Sequence, residues 1–176
     1  MIFDIMCMVI NLNILNKTTL DKDLKAVLIN RETSIDFEYT SYNQNDTMVL
    51  GEILAKYLNK SDILVLNGEL GSGKTVLMSG IAKFYNIEDK ISSPTFTIVN
   101  EYSTNSELKI FHFDMYRLNS LEEFIDDIGT EYFSNGLCVI EWGELVKDIL
   151  PKHTIYIDFK KDITDDNKRY LHIWRK

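Results

Sequence analysis

The chain has 176 residues, with 27 Asp or Glu against 19 Lys or Arg, and a formal charge of −8 with its three His neutral. That balance excludes a dominant basic surface, so direct DNA binding is not expected. An apolar content of 45% with only 8 Gly and 2 Pro excludes global disorder and fibrous repeats and suits a single packed core.

At the N-terminus an apolar run from Ile5 to Ile10 is bounded by Asp4 and Asn11, with no base before it. It is too short to span a bilayer and poorly built as a signal peptide, so no membrane association is expected. Neither Cys7 nor Cys138 belongs to a CxxC or Cys/His cluster, which points to a reduced, cytoplasmic setting without structural zinc. Residues 1–38 mix Lys, Asp and Asn with no sustained period and read as a loosely docked extension of unclear role. Residues 39–176 read as one domain.

From Asp46, taken as an N-cap, Leu50, Ile53, Leu54, Tyr57 and Leu58 recur at helical spacing. Residues 62–67 then read as a buried strand. Gly68-Glu-Leu-Gly-Ser-Gly-Lys-Thr75 follows, and Val76, Leu77, Ile81, Ala82 and Phe84 continue as an amphipathic helix. Residues 95–102 and 108–114 are β-branched or aromatic and suggest two paired strands. Ser120 with Glu123 forms a capping-box pattern ahead of Leu121, Phe124, Ile125 and Ile128. Leu137-Cys-Val-Ile-Glu141 is another buried-strand run, and 154–159 and 169–174 look like closing strands. This alternation predicts an α/β fold, a P-loop NTPase-like sandwich with a largely parallel central sheet flanked by helices and some added antiparallel strands.

The charge is uneven. Residues 119–148 hold eight acids and one base, Lys147. Most of these acids read as a solvated face, with at least one expected to take a cation.

Gly68 to Thr75 matches G-x-x-x-x-G-K-[ST]. Glycines let the backbone curl and aim the N–H groups of Glu69, Leu70, Gly71, Ser72, Gly73 and Lys74 at phosphate. Lys74 is placed to reach the β- and γ-phosphates, and the Thr75 hydroxyl to ligate Mg²⁺. Because Mg²⁺ favours hard oxygen ligands, a carboxylate is expected at the end of a neighbouring strand. Two qualify, Asp114 and Glu141. The Glu141 strand is uniformly apolar and suits a position beside the loop strand, whereas the Asp114 strand, interrupted by His112, reads as half-exposed. The metal is therefore assigned to Glu141, directly or through water. That leaves Asp114 to orient or deprotonate water as the catalytic residue with Lys74.

Read together, GELGSGKT, SPTFTIVNEY, HFDMYRL (112–118) and IEWGE (140–144) closely resemble the TsaE family of small P-loop ATPases. The resemblance implies a Mg²⁺-dependent, ATP-hydrolysing protein that supports threonylcarbamoyladenosine modification of tRNA beside the anticodon. It also implies docking on TsaB and TsaD and contact with tRNA only through that complex. The family places a helix-entry Thr near the nucleotide, here Thr47, which equally reads as a cap neighbour. Thr95 falls where a nucleotide-sensing switch would lie or simply begins a strand. Trp142 follows the metal acid and packs over the site or in the core. Tyr116 and Arg117 read as anchors of a partner surface, with Arg117 alternatively a phosphate contact or an ion-pair partner of Glu122 or Glu123. Arg169, near a closing strand, is a candidate adenine-side contact. His112 reads as a strand residue satisfied by hydrogen bonds. Two other readings stay open. One is a nucleotide-gated adaptor that does not hydrolyse ATP. The other is a small-molecule or nucleoside kinase, which the presence of only four Arg disfavours.

Overall fold

The computed structural model describes residues 10–12, 17–31 and 34–175. Cys7 and the apolar run before Ile10 lie outside them. One eight-stranded sheet organises the chain. Its strands are β1 (Ile10–Leu12), β2 (Ile35–Ser41), β3 (Ile63–Asn67), β4 (Val99–Ser103), β5 (Lys109–Asp114), β6 (Leu137–Glu141), β7 (Ile155–Lys161) and β8 (Arg169–Arg175). Their spatial order is β1-β2-β8-β7-β3-β6-β5-β4. The pairs β7–β3, β3–β6 and β6–β5 are parallel, whereas β2–β8, β8–β7 and β5–β4 are antiparallel.

Helices α1 (Lys17–Leu28), α2 (Gln44–Ala55) and α3 (Lys74–Phe84) are joined later by the short α4 (Leu121–Asp127) and α5 (Tyr132–Asn135). Two apolar cores result, one on each side of the sheet. Leu64, Leu66, Val139 and Ile157 share one core with Leu50, Leu54, Leu77 and Ile81 of α2 and α3. Ile63, Val65, Cys138 and Ile140 share the other with Phe113, Phe124 and Val146. Strands β3 and β6 are thus buried on both faces, the reason their sequences are continuous apolar runs rather than alternating ones.

Four local expectations are corrected. The N-cap of α2 is Asn43, whose Oδ1 accepts from the Asp46 N–H at 3.0 Å, while Asp46 Oδ2 accepts from the Tyr42 N–H at 2.9 Å. Asp46 therefore completes the cap from inside the first turn. Residues 95–98 form a turn closed by the Ile98 N–H on the Pro94 carbonyl at 2.8 Å, and β4 begins only at Val99. Strand β5 is buried from Ile110 to Asp114, His112 included, because β4 and β6 flank it and both faces are covered.

The last correction concerns the segment before residue 39, whose described part is not loosely held. Leu20, Leu24 and Leu28 of α1 and Ile35 and Phe37 of β2 all lie in the first core. The leucines recur every fourth position, a stripe that the interspersed charges conceal. Ser120 caps α4 as its pattern predicts, accepting from the Glu123 N–H at 3.2 Å.

Candidate functional site

Strands β3, β5 and β6 run parallel, so their C-terminal ends, Asn67, Asp114 and Glu141, share one edge of the sheet. That edge is where open α/β sheets place ligands. The glycine loop leaves β3 there and enters α3 at Lys74. Gly68, Gly71 and Gly73 have φ of 144°, 71° and 110°, which side-chain-bearing residues rarely adopt. A Cβ on Gly68 would lie 2.8 Å from the Phe159 carbonyl oxygen and 2.9 Å from Ser72 Oγ.

The loop borders a cavity of about 500 Å³. Leu70, Gly71, Ser72, Gly73, Lys74 and Thr75 line it, as do Thr47, Thr95, Asp114, Glu141, Trp142 and Arg169 from elsewhere in the chain. The fold therefore gathers almost every residue singled out from the sequence. Glu69, His112 and Arg117 do not line the cavity. The Glu69 side chain is exposed, and its backbone carbonyl accepts from Lys74.

Lys74 is buried, and its Nζ donates to the Gly68 and Glu69 carbonyls at 2.8 and 3.0 Å and lies 4.4 Å from the Trp142 ring centre. Burial holds its ammonium below the usual lysine range, opposed by the Glu141 and Asp114 carboxylates. Thr75 Oγ1 donates to Glu141 Oε1 at 3.0 Å, and His112 Nε2 lies 3.0 Å from the same oxygen. Glu141 is 3% exposed. Of the eight acids in residues 119–148 it is the only one fully buried, and a buried carboxylate needs donors or a cation.

Asp114 serves a separate network. Its Oδ2 accepts from Ser93 Oγ and from Thr95 Oγ1 at 2.9 Å, and its Oδ1 accepts from the Tyr116 N–H at 3.1 Å. Thr95 is thus held to the strand end by its hydroxyl. Thr47 is buried and shares a hydrogen bond of 2.7 Å with Ser41 Oγ. Tyr116 is exposed and tilts against Trp142, with ring centres 5.3 Å apart. Arg117 approaches neither the cavity nor Glu122 or Glu123, because its guanidinium lies over the exposed Phe96 ring at 4.3 Å.

Sequence reasoning missed Ser93, Asn43, Asp166 and Asn167 in the cavity wall and the His112 contact to Glu141. Only Ser93 carried a local signal, as the first residue of the SPTFTIVNEY motif.

The donor set fits a nucleotide phosphate tail and a hard divalent cation. A glycine cradle, a buried ammonium and a hydroxyl–carboxylate pair of oxygens meet at one strand edge.

A family model described as threonylcarbamoyl adenosine biosynthesis protein TsaE matches residues 41–170. The chain belongs to the TsaE family. A TsaE protein of Treponema pallidum, described as a tRNA threonylcarbamoyladenosine biosynthesis protein, is 38% identical over 130 residues, 73% of this chain and 93% of that one. The Bacillus subtilis TsaE is 33% identical over 133 residues, 74% of this chain and 82% of its own length. The crystal structure of Bacillus YdiB superposes with a TM-score of 0.64 at 27% identity, covering 81% of this chain and 86% of that one. The TsaE match begins inside β2 and ends inside β8, so it takes in the whole loop-bearing edge described above.

No helix among the described residues is long and apolar enough to cross a membrane.

Proposed function

We propose that this chain is a Mg²⁺-dependent ATPase of the cytoplasm that supports threonylcarbamoyladenosine modification of tRNA together with TsaB and TsaD. The observation that carries the nucleotide part is the 3.0 Å pairing of Thr75 with Glu141 beneath a glycine loop that holds Lys74. The pathway and partners rest on membership of the TsaE family and on the names of its relatives.

When bound, ATP supplies the phosphoryl group that passes to water, and Mg²⁺ supplies charge neutralisation at the phosphate oxygens. The chain's own residues do the rest by positioning and electrostatics. The loop amides cradle the phosphate tail, Lys74 compensates its charge, and Thr75 and Glu141 offer oxygens to the cation. Trp142 shields the lysine from water on one side. Asp114 holds the Ser93 and Thr95 hydroxyls at the cavity wall and orients the attacking water.

Phosphate release by the full chain, alone and with purified TsaB and TsaD, tests this reading. Partners are expected to stimulate release, and Lys74→Ala to reduce it about 10²-fold or more. Undiminished turnover in that variant overturns the reading.

One observation favours a second reading, a nucleotide-gated adaptor. Asp114 already accepts from three protein donors, so both of its carboxylate oxygens are engaged in holding the Ser93, Thr95 and Tyr116 segments. ATP binding without phosphate release, even with TsaB and TsaD present, selects the adaptor. A kinase finds less support, since Arg169 alone of the arginines lines the cavity.

A further inference from the structure

Strands β7 and β8 end beside the loop with two cations directly opposite each other, Lys161 and Arg169 being register partners. Residues opposite one another on antiparallel strands point to the same face, and like charges so placed repel. Something must hold them there, and the loop's carbonyl oxygens do. Lys161 Nζ donates to the Leu70 carbonyl at 2.7 Å, and Arg169 Nε donates to the Ser72 carbonyl at 3.1 Å. The guanidinium also reaches the Gly71 carbonyl at 3.5 Å and is fixed from behind by the Asp166 and Lys168 carbonyls at 2.6 and 2.8 Å. Three consecutive loop carbonyls are thus drawn toward the hairpin.

In a trans peptide the carbonyl and the following N–H point in opposite directions, and no cis bond occurs among the described residues. Drawing the Leu70 and Ser72 carbonyls to the hairpin therefore turns the Gly71 and Gly73 N–H groups away from it. We propose that Lys161 and Arg169 are positioning residues that hold the loop's amides ready for an anionic phosphate tail, acting through the backbone rather than by touching the base. This deepens the nucleotide reading and rests on it. It also replaces the adenine contact expected of Arg169 with a role that Lys161 shares.

The test is calorimetric titration of the full chain with ATP and, separately, with inorganic tripolyphosphate, which has no base. Lys161→Met and Arg169→Met are each expected to weaken both ligands by the same factor, about tenfold, the scale of a lost charge-assisted hydrogen bond. Lys161→Arg should restore binding. Lys160→Met is the control for bulk charge, since Lys160 alternates to the opposite face of β7 and is expected to bind like wild type. In the ligand-free protein, Lys161→Met should also speed hydrogen exchange at the Gly71 and Gly73 amides, a readout independent of affinity.

Weakening of ATP alone would mean that Arg169 contacts the base, and would overturn the proposal. So would equal weakening by Lys160→Met, or loop amides that exchange as in wild type. Wild-type protein that binds neither ligand would overturn the nucleotide reading itself. If Arg169→Met fails to fold, the exposed end of β7 still allows the Lys161 variants to decide.

Discussion

Asp114 and Glu141 stand opposite each other as register partners on the β5–β6 ladder, yet their carboxylates serve different networks. Glu141 takes the Thr75 hydroxyl and His112, while Asp114 takes Ser93, Thr95 and the Tyr116 N–H. The separation places the Glu141 oxygens beside the loop and the Asp114 oxygens, which hold Ser93 and Thr95, one strand further out. The hydrogen-bond partners thus keep apart two acids that both end a strand at the same edge of the sheet.

Glu141→Gln preserves shape and removes charge. The affinity for ATP, measured with and without Mg²⁺, is expected to become insensitive to the metal, because the amide is a poor partner for a hard cation. Retained Mg²⁺ dependence would assign the metal elsewhere.

Asp114→Ala leaves the Ser93 and Thr95 hydroxyls and the Tyr116 N–H without their acceptor. A loss of about 1–3 kcal/mol in urea unfolding is expected, together with faster hydrogen exchange across residues 92–98.

Helices α2 and α3 touch through glycines. A Cβ on Gly80 would sit 2.0 Å from the Met48 carbonyl oxygen, and one on Gly51 would sit 2.3 Å from that of Leu77. Gly80→Ala should therefore destabilise by about 1–3 kcal/mol through forced separation of the helices, read as a lowered Tm.

Leu24 is fully buried in the first core although it lies before the TsaE match. Leu24→Ala should cost about 2–5 kcal/mol. A change near zero in urea unfolding would show that α1 contributes little to the domain's stability.

Tyr85 donates its hydroxyl to the Ala55 and Leu58 carbonyls at 3.0 and 3.1 Å, and burial pushes its pKa from 10.0 to about 12. Between those values the native protein keeps a proton that the unfolded chain has lost. The stability this contributes is present below pH 10 and declines as pH rises toward 12. Tyr85→Phe should flatten that alkaline decline while costing about 1 kcal/mol near neutrality. Tyr39, also raised to about 12 by burial, leaves part of the slope in place.

What was legible in the sequence was local or periodic. The buried runs of β3 and β6, the loop glycines and the Ser120 cap each follow from rules that operate within a few residues. The placement of the Glu141 strand beside the loop strand was also legible, because a strand with no polar positions has to be covered on both faces. Asp114's partners were not. Ser93 and Thr95 lie 21 and 19 residues before it, and no spacing rule links a turn to the end of a later strand.

By itself the sequence determined the glycine loop, the lysine and hydroxyl that follow it, and the α/β class, since backbone curl and apolar periodicity are short-range properties. The tertiary structure alone decided which oxygens meet. It set Glu141 against both Thr75 and His112, and it brought Lys161 and Arg169 onto carbonyls more than ninety residues away. Such meetings depend on strand order and register, which follow from how two cores are packed against one sheet rather than from any local pattern.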